Sequence, residues 1–564
     1  MYREIAQIPS PQNGVNWWDK LGKPQYGGEM VIRSERNIVN FDPYYDAFLP
    51  QIFWAWMESL AKYDWTSELS ASDNDRLFRP NQYRKGQLAE NWEFTNQSTF
   101  VVHLRKGIRW QDIPPVNGRE FIADDVVYHY HRLWGLGSDL TPSPDHVSVP
   151  AYRDLVSVTA VGKYTVVFRW KKANPEYIMV SLLAINPTQV FEAREAVQKW
   201  GDLGDWHHAI GTGPFILKDF VSDSSATLVK NTRYWGYDER YPQNKLPYVD
   251  AIKFVIIPDD ATAFAEMRAG KIDLITPVSF QDAQTMQKTN PEILQIPIPF
   301  RQTVSLDPRV DKAPYHDIRV RKAMQMAIDL PAIAKDYYQG AVEAYPSTLS
   351  SRGMKGVGFP YEEWPQDLKD EYAYNPEAAK KLLGDAGFPE GFKTNIVADA
   401  SGDMDLLQVV KSYFNQVGID MEIRMMDPAS WISFVLVNHK HDQLSQRTEP
   451  PQGYVYEPIR LLHGLQTGHS TSQMINDTVL NTFYPKALAV TNLDEVLQIY
   501  RDANEYMVRQ HFVVSLLQPT SYALCQPWLK GYSAQFGSVM TYSVLSFDLA
   551  RFWIDRDMKK SMGR

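Results

Sequence analysis

Ile252-Lys-Phe-Val-Ile-Ile257-Pro-Asp-Asp-Ala261-Thr-Ala-Phe-Ala-Glu-Met-Arg-Ala269-Gly270-Lys-Ile-Asp273 decides the fold class. The β-branched and aromatic run at 252–257 predicts a strand, residues 261–269 predict a helix, and Gly270 ends that helix before a second strand. A strand–helix–strand succession of this length predicts an α/β unit with a parallel strand pair. Asp259-Asp260 falls at the helix start, where carboxylates complement the unpaired N–H groups. Upstream, Gly211-Thr-Gly-Pro-Phe215 is a glycine turn leading into paired strands at 214–220 and 225–230. Downstream, apolar spacing and end signals predict helices at 317–339, 375–386 and 493–510. The second has Asn375 as N-cap, Pro376 at its first position and Gly387 as terminator.

Further out, Leu88–Phe94 and Thr99–Arg105 predict two strands around the Asn96-Gln-Ser turn. Asp124 is the expected cap of a helix through Val126, Tyr130 and Leu133. Ile52, Phe53, Trp56, Met57 and Leu60 recur at helical spacing, so 49–63 is predicted helical. Residues 444–475 show no period and contain Pro450-Pro451 and scattered Tyr, which predicts a long functional loop. The class that follows is mixed α/β with more than one lobe.

The 564 residues exceed what one core organises, since cores stop growing near about 250–300 residues. With 44% apolar and 22% charged residues the chain is an ordinary globular one, not disordered or fibrous. A net charge of −9 gives no footprint for nucleic acid. The single cysteine, Cys525, excludes an intrachain disulfide and a cysteine metal cluster. The first residues contain no apolar signal region, so an exported form is expected to have had its signal removed. Aromatic content is 13%, and Trp and Tyr suit walls that grip a solute, although most of them are expected to be plain core.

Catalytic and metal signatures are weak. Gly211-Thr-Gly-Pro lacks the lysine of a phosphate loop, and no Gly-x-Ser-x-Gly or His-Glu-x-x-His occurs. His129 and His131, two apart on a helix, point to different faces and cannot share a metal. No cofactor and no metal are expected. A glycoside hydrolase remains the alternative of another class, and it would need two facing carboxyls.

Seven segments, in order, resemble one family, the extracellular solute-binding proteins of family 5 that serve ABC importers of oligopeptides, dipeptides and nickel. They are Leu88-Ala-Glu-Asn-Trp-Glu-Phe with Phe100-Val-Val-His-Leu-Arg-Lys-Gly-Ile-Arg-Trp110, and Gly118-Arg-Glu-Phe-Ile-Ala-Asp-Asp-Val-Val127. Gly211-Thr-Gly-Pro-Phe, Asn231-Thr-Arg-Tyr-Trp-Gly236 and Pro247-Tyr-Val-Asp-Ala-Ile-Lys-Phe254 follow. Asp317-Ile-Arg-Val-Arg-Lys-Ala-Met-Gln-Met-Ala-Ile-Asp329 and Asn375-Pro-Glu-Ala-Ala-Lys-Lys-Leu-Leu-Gly-Asp-Ala-Gly-Phe-Pro389 complete the set. The resemblance covers about Gly27 to the C-terminal strands.

It implies a two-lobe periplasmic-binding-protein-like fold of type II, with an extra subdomain, around a hinged ligand cleft. Lobe one would combine 1–55, 190–295 and 520–564, with 56–189 as its inserted subdomain, and lobe two would span 296–519. The implied partners are a peptide or other polar solute and the permease subunits; the chain would be a monomer, periplasmic or extracellular, with a lipid anchor to the membrane surface as one option. An oligosaccharide or an anionic metal chelate are the alternative ligands, and a sensory module is an alternative role. The ligand positions implied are Tyr44, Tyr45, Phe53 and Trp54 after the first strand, Arg301 and Gln302 at the crossing, Trp431, then Arg447, Tyr454 and Tyr456 in the 444–458 stretch, and Tyr542. In oligopeptide-binding relatives that stretch carries a Trp and an Asp that pairs with the peptide ammonium. Here it reads Arg447-Thr-Glu-Pro-Pro-Gln-Gly-Tyr-Val-Tyr-Glu-Pro458 and lacks both, so the ammonium needs another partner, and Arg447 and Arg301 could instead receive a carboxylate.

Overall fold

The computed structural model describes residues 16, 18–45, 51–64, 66, 84–96, 98–136, 140–143, 155–171, 190–301, 303–346, 359–400, 402–449, 472–490, 492–532 and 549–564. Described residues up to Ile298 and from Tyr522 onward form one compact unit, and those from Pro299 to Ser521 form a second.

In chain order, the strands of the first unit's two larger sheets are β1 (Glu29–Ser34), β2 (Ala89–Asn96), β3 (Thr99–Leu104), β4 (Leu155–Ala160), β5 (Thr165–Trp170), β6 (Phe215–Val221), β7 (Ser225–Lys230), β8 (Ala251–Ile256), β9 (Leu274–Val278) and β10 (Leu294–Arg301), the last running into the second unit. The second unit adds β11 (Thr303–Pro308), β12 (Phe392–Asp399), β13 (Ile419–Met426), β14 (Leu444–Glu449) and β15 (Val514–Ser515), and β16 (Thr520–Cys525) returns the chain to the first. The helices used below are α1 (Ala123–Trp134), α2 (Asp260–Arg268), α3 (Ile318–Met326), α4 (Met404–Gln416) and α5 (Leu493–Gln510).

The first unit is built on a seven-stranded sheet ordered β10-β16-β9-β1-β8-β7-β6. The β8–α2–β9 segment does supply parallel strands, but they are not neighbours. β1 lies between them, parallel to both, with Met30 opposite Ile252 and Ile32 opposite both Phe254 and Leu274. Met30 and Ile32 are buried and join Phe41, Phe53, Trp56, Ile252, Trp528 and Trp553 in one core. The sole thiol, Cys525, faces Leu274 in this sheet and is 1% exposed. Burial pushes that thiol's pKa up.

A separate antiparallel sheet, β2-β3-β5-β4, packs with α1 around Phe100, Val102, Tyr130 and Phe168. The helix cap differs in one detail from the sequence expectation. Asp125, not Asp124, accepts the Ile122 backbone N–H at 2.9 Å, and it also accepts the Arg119 fork at 2.6 and 2.8 Å and the Trp110 indole N–H at 3.4 Å. The 49–63 helix is also corrected. Ile52, Phe53, Trp56, Met57 and Leu60 are all buried, but Gln51–Ala55 is a 3-10 turn and Ala61–Tyr63 a strand. The Trp56 carbonyl, which a continuing helix would use internally, accepts the Gly213 N–H at 2.9 Å.

In the second unit a mixed sheet runs β13-β12-β14-β11-β15. β12 pairs parallel with β13 and β14, whereas β11 is antiparallel to β14 and β15. Leu444–Glu449 is therefore a strand, which corrects the expectation of irregular chain from 444; residues 450–471 lie outside the described residues. Predicted helix ends fare better because they rest on local hydrogen bonds. Asn375 accepts Ala378 N–H at 3.0 Å, and Asn492 accepts those of Asp494 and Glu495 at 2.8 and 3.3 Å. The 317–339 stretch is helical in pieces, α3 followed by short turns at Leu330–Ala332 and Ile333–Tyr337. Arg321 of α3 is buried and donates to the carbonyls of Tyr315, Gln510 and His511 at 2.6 to 3.0 Å, so a cation closes the C-terminus of α5.

Gly213 and Gly384 separate two roles of glycine. A Cβ on Gly213 would lie 2.6 Å from the Trp56 carbonyl carbon, while one on Gly384 meets nothing nearer than 4.0 Å. Gly213→Ala is expected to destabilise by about 2 kcal/mol or more through overpacking, and Gly384→Ala to stabilise by about 0.5–1 kcal/mol as a helix substitution. Chemical denaturation of the two variants checks both signs.

Candidate functional site

In the first unit, the chain leaves β1 and turns at Asp42-Pro-Tyr44-Tyr45. Asp42 is fully buried, and its carboxylate receives the Arg132 fork at 2.9 and 2.6 Å, the Tyr44 N–H at 3.0 Å and the Leu203 N–H at 3.0 Å. Arg132 comes from α1 and also lies 4.7 Å from the Tyr44 ring centroid. Behind it, Glu192 sits 3.4 Å from Arg132 and 2.7 Å from His129 Nδ1. Burial opposes ionisation of Glu192, but the His129 and Arg132 contacts outweigh it and pull the carboxyl down to about 2. The Tyr44 hydroxyl donates to Thr141 O at 2.7 Å, and Ser143 Oγ donates to Tyr44 O at 2.5 Å. The turn is thus tied from four directions. Tyr45 stands edge-on to Tyr44, ring centroids 4.7 Å apart, and is 46% exposed.

Phe53 and Trp54 occupy a different environment from the one expected. Phe53 is fully buried between Phe41 and Trp56, with centroids at 5.9 and 4.7 Å, and Trp54 is 2% exposed in the same core. Their rings are spent on packing, where large apolar area contributes most. Trp431 is likewise buried beside Val397 and Val435, donating its indole N–H to Val397 O at 3.2 Å.

In the second unit, β11 and β14 lie side by side with Ser305 opposite Arg447 and Asp307 opposite Ser445. Ser515 of β15 is also opposite Ser305. Opposed residues share a sheet face, so one face carries Ser305, Asp307, Ser445 and Ser515, all buried. Asp307 accepts Ser305 Oγ at 2.8 Å and Ser472 Oγ at 2.6 Å. Among the described residues the Ser445 and Ser515 hydroxyls have no hydrogen-bond partner. Val397 opposes Ser445 across β12, which brings Trp431 to this same face. The structure therefore assembles Trp431 with a row of hydroxyls, and holds Arg447 at the adjoining register position. Arg301 lies in β10, Gln302, Tyr454, Tyr456 and Tyr542 fall outside the described residues, and the side chains of Arg301 and Arg447 are not among those described.

His441 closes this region. Its Nε2–H donates to Ser472 O at 2.7 Å, and burial with Arg309 nearby pushes its pKa down to about 4. Among the described residues no group of three or more His, Cys, Asp or Glu could hold a metal ion.

Sequence reasoning missed the Asp42–Arg132 pair, whose members are 90 residues apart, because no local period links them. It also missed the polar row, although the alternation in Thr303-Val-Ser-Leu-Asp was a usable strand signal.

Two α/β units joined by β10 and β16, with no chemistry-bearing motif beyond these polar and aromatic groups among the described residues, fit a solute-binding protein. Residues 84–450 match the family described as bacterial extracellular solute-binding proteins, family 5 (middle), and the chain belongs to that family. It is 24% identical over 510 residues to heme-binding protein A of Haemophilus influenzae, covering 84% of this chain and 87% of that protein. Against the glutathione-binding protein GsiB of Escherichia coli it is 27% identical over 348 residues, 61% of each chain. The fold is similar to the periplasmic binding protein DppA of Helicobacter pylori in complex with the peptide STSA, with a TM-score of 0.70, 18% identity, and 94% and 99% of the two chains covered. Among the described residues no helix is long and apolar enough to cross a membrane.

Two outcomes test the site description. Arg132→Lys keeps the charge and loses the fork, which is expected to cost about 1–3 kcal/mol and to speed amide exchange at Tyr44 and Leu203. Hydrogen exchange with mass detection reads that local effect. His441 is protonated less readily folded than unfolded, so stability is full above about pH 6.5 and falls as pH drops toward 4. The fall is on the order of 3 kcal/mol, and His441→Gln is expected to flatten it in denaturant titrations run across that window.

Proposed function

We propose that this chain is the extracytoplasmic binding component of an ABC importer, capturing a peptide or peptide-like polar solute and passing it to the permease. The supporting observation is that the family match at 84–450 runs through the boundary at 298/299 and so spans parts of both units. The relatives named above bind heme, glutathione and a peptide, which supports a solute with polar, amide-bearing or chelating groups. Neutral hydroxyls on β11, β14 and β15 of the second unit fit such a solute, because a hydroxyl both donates and accepts.

Uptake follows from differential affinity. A solute that binds one state of the chain better shifts the population toward that state. The solute leaves unchanged, so the chain acts as a monomeric carrier with no chemical step.

Native mass spectrometry of the purified chain, followed by titration with di- and tripeptides and glutathione, tests the reading. One of them is expected to bind in the micromolar range or tighter and to lower the radius of gyration in small-angle scattering. Binding of none of these, or recovery of a chemically altered ligand, overturns it.

A further inference from the structure

Gln446, on β14 of the second unit, is 3% exposed, and among the described residues neither its Oε1 nor its Nε2 has a hydrogen-bond partner. A buried carboxamide with both ends unpaired is unusual, because the desolvation of two polar groups is left uncompensated. The anomaly does not depend on which end is oxygen, since both ends are unpaired.

Its position explains what it faces. Ile396 and Val397 of β12 pair parallel with Leu444 and Ser445 of β14, so Gln446 lies toward the carboxyl ends of these parallel strands. That edge is where open α/β sheets receive ligands. A Cβ added to Gly402 would lie 2.7 Å from Gln446 Oε1 and 3.0 Å from the Asp399 carbonyl. Gly402 thus borders the carboxamide directly, and only the missing methyl leaves room there. Asp403 follows and caps α4 by accepting the Leu406 N–H at 2.9 Å, with the Tyr337 hydroxyl on the same oxygen at 2.6 Å.

The chemistry selects among ligand groups. A carboxylate could satisfy Nε2 only, and it would approach Asp399, Asp403 and Asp405 on the same edge. An ammonium could satisfy Oε1 only. Another amide satisfies both at once, its C=O accepting from Nε2 and its N–H donating to Oε1.

We propose that the carboxyl edge of β12 and β14 is a recognition point for a neutral amide of the solute, with the Gln446 carboxamide as its partner and Gly402 keeping the approach open. The inference rests on the reading of this chain as a binder of peptide-like solutes and names the solute group recognised. It also gives the second unit a peptide contact that does not require the aspartate missing from 447–458: a backbone amide, not the terminal ammonium, is held here.

The test has two arms on the full chain. In the first, side-chain amide resonances of ¹⁵N-glutamine-labelled protein are followed, with the Gln446 signal assigned by its loss in Gln446→Met. N-methylacetamide is expected to shift that signal saturably, whereas sodium acetate at equal concentration does not. No saturable shift, meaning occupancy by water alone, overturns the proposal, as does an equal response to acetate. In the second, calorimetry compares tri-alanine with its analogues carrying one ester in place of one amide. One ester is expected to weaken binding about 5- to 10-fold in the wild type and to make no difference in Gln446→Met or Gln446→Leu, with Gly402→Ala weakening tri-alanine similarly. Equal tri-alanine affinity in wild type and both Gln446 variants, with unchanged melting curves, overturns the proposal. A positive first arm with no binding of tri-alanine or any peptide leaves the amide site standing and overturns the peptide reading instead.

Discussion

β1 holds the first unit together by pairing on both sides with strands more than 200 residues later, β8 and β9. A strand in the middle of a sheet cannot be satisfied from one side alone, since its N–H and C=O groups point both ways. The buried Met30 and Ile32 add the matching apolar contact. Everything that follows β1 inherits this placement: the Asp42 turn leaves from its carboxyl end, where the fork from α1 and the amide of Leu203 fix it. The turn is thereby built from non-local contacts, with the ring of Tyr45 as its exposed product.

The two units handle polar groups differently. In the first, buried charges meet charges, as with Asp42, Arg132 and Glu192, and every oxygen of Asp42 is used. In the second, neutral hydroxyls and amides dominate the buried sheet positions, and several remain unpaired. Paired charges fix geometry, because removing either partner strands the other. Unpaired neutral groups instead leave bonding capacity for a molecule that comes and goes.

Local chemistry was legible in the sequence, and distant chemistry was not. The cap at Asn375 and the helix-start carboxylate at Asp259 were readable because their partners lie three residues away. Residues 51–63 misled because burial at three- and four-residue spacing also arises in a tight turn pressed against Gly213, with no helix behind it. Leu444–Glu449 was unreadable as a strand: Ser, Gln, Arg, Thr and Glu give no apolar alternation when both faces accept polar groups. The aromatic excess pointed to a gripping surface, yet Phe53, Trp54 and Trp431 are interior. Composition reports how much ring area a chain owns, whereas placement depends on neighbours far along it.

The position of Cys525 gives the molecule a chemical clock. The only sulfhydryl of the chain lies in β16, between β9 and β10, shielded from solvent. An alkylating reagent can reach it only when that strand leaves the sheet, and thiolate forms poorly while it stays. Its modification rate therefore times the opening of the first unit at the very strand that carries the chain back from the second, with no label or substitution introduced.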